Sequence, residues 1–169
     1  MVDTNEIKAT LKAWYKISDV IPAIGSGSFN IDAQTGEITV SGSLYLKSQT
    51  SNLPNLKIKE VRGSFVCYNN NLTSLVGAPQ SVGGSFQCQH NKLKSLTGGP
   101  QSVGGNFDCY DNKLTSLAGA PQSVWHFNCH NNKLTSLEGA PKSVSGWFVC
   151  AENPLSSLAG APKEIRGQF

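Results

Sequence analysis

Five cysteines stand at positions 67, 88, 109, 129 and 150, at spacings of 21, 21, 20 and 21 residues. A period of this length constrains the fold more than any single residue does. A unit of about 20 residues cannot bury a core by itself and is stable only when stacked on copies of itself. Written from each cysteine, the units read CYNNNLTSLVGAPQSV, CQHNKLKSLTGGPQSV, CYDNKLTSLAGAPQSV, CHNNKLTSLEGAPKSV and CAENPLSSLAGAPKEI. A short link then leads each time to Phe, at 86, 107, 127, 148 and 169, and Phe65 precedes the first cysteine in the same way. The repeating pattern is F-x-C-x-x-N-x-L-x-S-L-x-G-x-P, closing in Ser-Val or, in the last copy, Glu-Ile.

An earlier, degenerate copy keeps the register. Gly42, Leu44 and Leu46 stand 21 residues before Gly63, Phe65 and Cys67, and Val61 closes that copy as Val82 closes the next. The chain therefore divides into residues 1–40 and a solenoid over 41–169. The solenoid comprises a degenerate unit 41–61, units 62–82, 83–103, 104–124, 125–144 and 145–165, and a partial strand 166–169. The alternation in Phe-x-Cys places Phe and Cys on one face of a short strand. Stacking turns each strand into a rung of a parallel β ladder. The repeated Asn ends each rung, where its amide can satisfy backbone groups freed at the turn. The Leu pairs fill the interior, and the repeated Gly and Pro exclude a regular helix from the return path, leaving turns and extended segments. The expected fold is a repeat solenoid, a short parallel β ladder with an irregular convex side and an N-terminal α/β cap. In that cap, Asp3-Thr4 starts a helix over about 5–16 with Ile7, Leu11 and Trp14/Tyr15 on one face, and SFNID, AQTG and EITVSGSLYL read as strand, turn and strand.

The core spacing F-x-C-x-x-N-x-L-x-x-L resembles the leucine-rich repeat, with Phe and Cys in the first two Leu slots. The short Leu-Thr-x-Leu run resembles repeats of bacterial effectors, and the NKLTSLEGAPKSV wording resembles repeat proteins of tailed bacteriophages more closely. The resemblance covers residues 41–169. It implies a leucine-rich-repeat solenoid and says little about function, because a fold does not carry an activity.

Composition narrows the classes further. Charged residues make up 15% of the chain, against roughly 25% in an ordinary domain. The net charge of +3 is too small to mark a polyanion-binding protein. Lys92, Lys113 and Lys133 recur at one position, but Asp108, Asp111 and Glu152 adjoin them, so nucleic acid is not the expected partner. No apolar run approaches the roughly 20 residues of a membrane span. The N-terminus lacks the pattern of a secretory signal, so the expected location is the cytoplasm, that of the host if the protein is phage-encoded. The cysteines sit at inward positions equivalent to Leu46 and read as reduced core thiols. The cluster of His90, His126, Cys129 and His130 looks metal-like, but alternation points Cys129 away from His126 and His130, so neither a metal nor a cofactor is expected.

Comparing the repeats with one another locates the information. Inward and turn positions barely change, whereas four columns on the outward face of the strand vary. Before Phe they run Ser64, Ser85, Asn106, His126, Trp147; between Phe and Cys, Val66, Gln87, Asp108, Asn128, Val149; after Cys, Tyr68, Gln89, Tyr110, His130, Ala151; then Asn69, His90, Asp111, Asn131, Glu152. The fourth unit is one residue short, and Trp125 replaces the Gly found at 63, 84, 105 and 146. Aromatic and hydrogen-bonding side chains on a rigid concave sheet suit protein recognition. The expected partner-binding residues are Tyr68, Gln87, Gln89, Asp108, Tyr110, Trp125, His126, Asn128, His130 and Trp147. His130 near Asp111 imitates a base with its orienting acid, but no nucleophile stands beside them and no catalytic motif is present, so no enzyme is expected. The sequence thus reads as a non-enzymatic protein-binding module. The phage resemblance implies an inhibitor of a host defence protein, such as a nuclease or a CRISPR effector, with a structural or adhesin protein of the virion as the alternative. The strand at 166–169 is also an edge through which a homodimer could form.

Overall fold

The computed structural model describes residues 2–18, 29–47 and 49–169. Asp3 caps helix α1 (Thr4–Trp14), its carboxylate accepting from the backbone N–H of Asn5 and Glu6 at 2.9 and 3.2 Å. The helix ends two residues before the sequence suggests, because Tyr15 turns into strand β1 (Tyr15–Ser18). After residues 19–28 of the cap, which lie outside the described residues, come β2 (Phe29–Ile31), β3 (Ile38–Val40), β4 (Ser43–Leu46) and β5 (Ile58–Val61). From there each coil contributes two two-residue strands. They are β6 (Phe65–Val66), β7 (Ser81–Val82), β8 (Phe86–Gln87), β9 (Ser102–Val103), β10 (Phe107–Asp108), β11 (Ser123–Val124), β12 (Phe127–Asn128), β13 (Ser143–Val144), β14 (Phe148–Val149) and β15 (Glu164–Ile165).

These strands build a parallel β-solenoid of about six turns with a repeat near 21 residues. The first ladder runs β1-β4-β6-β8-β10-β12-β14 and pairs Phe with Phe from coil to coil. The extended segments of the return path also hydrogen-bond between coils. They form a second ladder, β2-β3-β5-β7-β9, and its continuation β11-β13-β15. The reason is local: Val82, Val103, Val124 and Val144 are buried while the adjoining serines face outward. Both ladders begin on an antiparallel strand, β1 against β4 and β2 against β3. Buried Leu11 and Tyr15, with half-buried Ile7 and Trp14, pack α1 and β1 onto the core.

Between the ladders, Phe65, Phe86, Phe107, Phe127, Phe148 and Phe169 form one continuous stack with ring centroids 5.0–5.6 Å apart. Tyr15 closes its first end, 6.0 Å from Phe65. At the other end the Phe148 N–H donates to the Gln168 carbonyl at 2.9 Å, and Phe169 is 60% exposed. Cys67, Cys88, Cys109 and Cys129 form a second buried column, and Cys150 is half-buried. Burial pushes the thiols of Cys67, Cys88, Cys109 and Cys129 well above the ordinary value.

The repeated asparagine welds coil to coil. Asn91 donates through Nδ2 to the carbonyls of Cys88 and Gln89 in its own coil and of Cys67 in the previous one, at 3.0–3.2 Å. Its Oδ1 accepts from the buried Leu72 N–H at 2.9 Å. Asn112, Asn132 and Asn153 repeat the arrangement. The repeated glycine is equally constrained: Gly119 has φ +94°, and a Cβ there would meet the Leu96 carbonyl oxygen at 2.5 Å.

The short fourth unit breaks the second ladder. In complete links the residue after the closing Val donates to the Val of the preceding coil, as Gly83 does to Val61 and Gly104 to Val82, at 2.8 and 2.9 Å. That residue is missing between Val124 and Trp125, so the Trp125 N–H bonds to the Gly105 carbonyl at 3.1 Å instead. Val103 is left without its usual donor, and the ladder splits between β9 and β11. The first ladder passes through unbroken.

Candidate functional face

Alternation along β6, β8, β10, β12 and β14 buries Phe and Cys and turns the intervening residues outward. All ten expected residues stand on this side of the solenoid or at its rim, but they differ in how free they are.

The column before Phe serves partly as an acceptor ladder. The backbone N–H groups of Ser64, Ser85 and Asn106 donate to the hydroxyls of Ser43, Ser64 and Ser85 at 2.9, 3.0 and 3.2 Å. One coil after the deletion, the Trp147 N–H donates to His126 Nδ1 at 2.7 Å. An imidazole has replaced a hydroxyl in the same role, which places the His126 ring proton on Nε2. The ring lies 4.9 Å from Trp147 and 6.1 Å from Trp125. Gly146 makes room for it, since a Cβ there would overlap the imidazole. Trp125 and Trp147 remain 56% and 55% exposed. Trp125 therefore stands out from the rim rather than covering the shortened link.

In the second column, Gln87 and Asp108 sit opposite each other on adjacent strands. Burial raises the Asp108 carboxyl above its ordinary value and outweighs the influence of the neighbouring Gln87 amide. Asn128 accepts from the His130 N–H at 3.3 Å and approaches His130 Nδ1 at 2.9 Å.

The third column forms a side-chain stack. The Tyr110 and His130 rings are parallel within 10° at 4.6 Å, and His90 meets Tyr110 edge-on at 5.1 Å. Gln89 lies between Tyr68 and Tyr110 in this column and is only 7% exposed, so it is not the open contact residue that its position suggests. Its Oε1 is buried with no hydrogen-bond partner. The fourth column belongs to the turn: Asn69, His90, Asp111, Asn131 and Glu152 all have φ between 49° and 54°. Asn and Asp tolerate this left-handed region best, so part of that column's composition answers to backbone geometry.

The expected pairing of His130 with Asp111 is replaced by another. Asp111 Oδ2 lies 3.1 Å from His90 Nδ1, its Oδ1 accepts from Asn131, and His130 is held by Asn128. Cys129 is buried on the opposite side of the strand from His126 and His130. Among the described residues no three His, Cys, Asp or Glu side chains are grouped to hold a metal ion. One aromatic residue on this face escapes the repeat comparison: Tyr45, which pairs with Val66 and is 37% exposed. Its signal is the register of the degenerate first unit.

The chain is a parallel β-solenoid with an aromatic and amide-rich outward face. No family model, curated protein or solved structure matches it.

Proposed function

We propose that this chain is a non-enzymatic protein-binding module that recognises a partner through the outward face of its first ladder. The observation that carries the reading is the pair of indoles, Trp125 and Trp147, each more than half exposed beside His126 on a rigid sheet whose inward columns scarcely vary. Large aromatic side chains with a polar atom are the residues most enriched at binding hot spots. The inward Phe, Cys and Leu columns and the asparagine ladder support placing the coils with short leucine-rich repeats. The resemblance to bacteriophage repeat proteins extends the reading to a phage-encoded inhibitor, acting in the host cytoplasm on a defence protein such as a nuclease or a CRISPR effector. The reading includes self-association through the edge at 166–169, supported by the exposed ring of Phe169; a monomer mass independent of concentration refutes that part.

The test is co-purification of the tagged chain from a bacterial host beside a Tyr110→Ala, His130→Ala, Trp147→Ala variant checked for folding. One stoichiometric host protein lost with the variant is the expected result. Identical proteins bound by both versions, or none by either, refute recognition through this face and favour the virion alternative.

A further inference from the structure

The variable columns of the outward face carry a one-sided set of charges, and the cation on this ladder, Lys16, stands opposite Tyr45 at its capped end. The four columns, from Ser64 to Glu152, contain no Lys or Arg, although the chain as a whole has a net charge of +3. The face does contain Asp108, Asp111 and Glu152. Asp111 is committed to His90 and Asn131. Asp108 is not committed in this way: among the described residues it forms no ion pair, and the residue opposite it is the neutral Gln87. A half-buried carboxylate without a cation is incompletely compensated. Diagonally across the strand pair, the Gln89 Oε1 is a buried acceptor with no donor. One coil beyond Asp108, His126 separates two exposed indoles, and its Nδ1 is already used as an acceptor.

Resting on the binding-module reading, we infer that this face takes an arginine-bearing segment of a partner protein, with one guanidinium against Trp147 and a second paired with Asp108. A guanidinium is planar and weakly hydrated, and offers five N–H donors with no acceptor. It stacks on indole more readily than an ammonium does and meets a carboxylate with two bonds. An acidic segment would be repelled by Asp108. Rungs at about 4.8 Å place the Asp108 and Trp147 strands roughly 10 Å apart, the reach of about three residues of extended chain. The segment that fits is thus Arg-x-x-Arg running across the coils.

The experiment titrates the full-length, isotope-labelled chain with the peptides acetyl-GRGGRG-amide, acetyl-GKGGKG-amide, acetyl-GEGGEG-amide and acetyl-GQGGQG-amide, following amide and indole N–H resonances. The arginine peptide is expected to move the indole signals of Trp125 and Trp147 and the amides around Asp108 saturably, ahead of the lysine peptide. The acidic peptide should leave them in place. Asp108→Asn and Trp147→Ala should each weaken the arginine peptide roughly three- to tenfold, the effect of one ion pair or one cation–π contact. Asp108→Asn keeps the side-chain shape, and its unperturbed spectrum serves as the folding control. Equal response to all four peptides, no response to any, or unchanged affinity in Asp108→Asn overturns the inference. If a host protein is nevertheless captured through the face and lost with the triple variant, the binding-module reading survives without it.

Discussion

Replacing Asn91 with Ala isolates what joins one coil to the next. The amide makes three donor contacts at 3.0–3.2 Å and accepts from the Leu72 N–H at 2.9 Å. Truncation leaves that N–H buried without a partner, at a cost of about 1–3 kcal/mol, and removes bonds to carbonyls worth about 1 kcal/mol each. The expected loss is about 4–6 kcal/mol. Asn153 makes the same set of bonds, to Cys129, Cys150, Ala151 and Leu134, but in the last coil, where it is more exposed than Asn91. Water can replace part of what is lost there, so Asn153→Ala should cost only about 1–2 kcal/mol. Urea unfolding followed by far-ultraviolet circular dichroism measures both. Because each coil contacts chiefly its neighbours, an interior lesion should also broaden the transition or split it in two. Equal losses at the two positions, or a loss below 1 kcal/mol at Asn91, would refute the ladder as the main coil-to-coil fastener.

Four other outcomes follow from what the fold buries and covers. In the native state a thiol reagent should label Cys150 alone, with Cys67, Cys88, Cys109 and Cys129 reacting only on unfolding, as mass spectrometry of the labelled chain can show. Burial raises the pKa of those four thiols above the ordinary 9.0, so the folded state holds their protons more tightly than the unfolded chain does. Stability should therefore be complete below that value and fall as the pH climbs past it, seen as a declining Tm in alkaline buffers. The Tyr15 hydroxyl is buried with no partner, so Tyr15→Phe should keep or raise stability, by up to about 1 kcal/mol in the same urea assay. Deleting residues 2–30 removes α1, β1 and most of β2 and uncovers the edges of β3 and β4; that chain should be insoluble, and a soluble, folded product would refute the cap.

The sequence made the solenoid legible because packing repeats its demands every coil. Phe, Cys, Leu and Asn recur where the structure buries a ring, a thiol, an aliphatic side chain and an amide, so period and alternation suffice to assign them. The second ladder is harder to read, since two residues per coil are too few to show a strand period. Its signal is the closing Ser-Val pair between Pro and Gly. The candidate face is legible as variable columns but not as roles. Alternation alone does not distinguish Ser64, an acceptor for the next coil, from Tyr68, a half-exposed ring, or show that Gln89 is enclosed between its neighbours. The turn column misleads most, because left-handed backbone selects Asn and Asp as effectively as a binding surface would.

The shortened unit explains where the face becomes distinctive. A residue lost within a rung would shift every inward side chain by one position and expose the Phe stack. Lost between the ladders, it costs the β9–β11 bonding but leaves Phe107 paired with Phe127. The same short link brings in a Trp where other coils require Gly, and an imidazole where the acceptor ladder used a hydroxyl. Gly146 in the next coil then admits the imidazole, and Trp147 packs against it. Departures from local consistency in a stable fold concentrate at sites retained for another reason. Here the break in the second ladder and the one exposed pair of indoles fall within the same two coils. That coincidence favours a recognition role for Trp125, His126 and Trp147 over drift of a solvated surface.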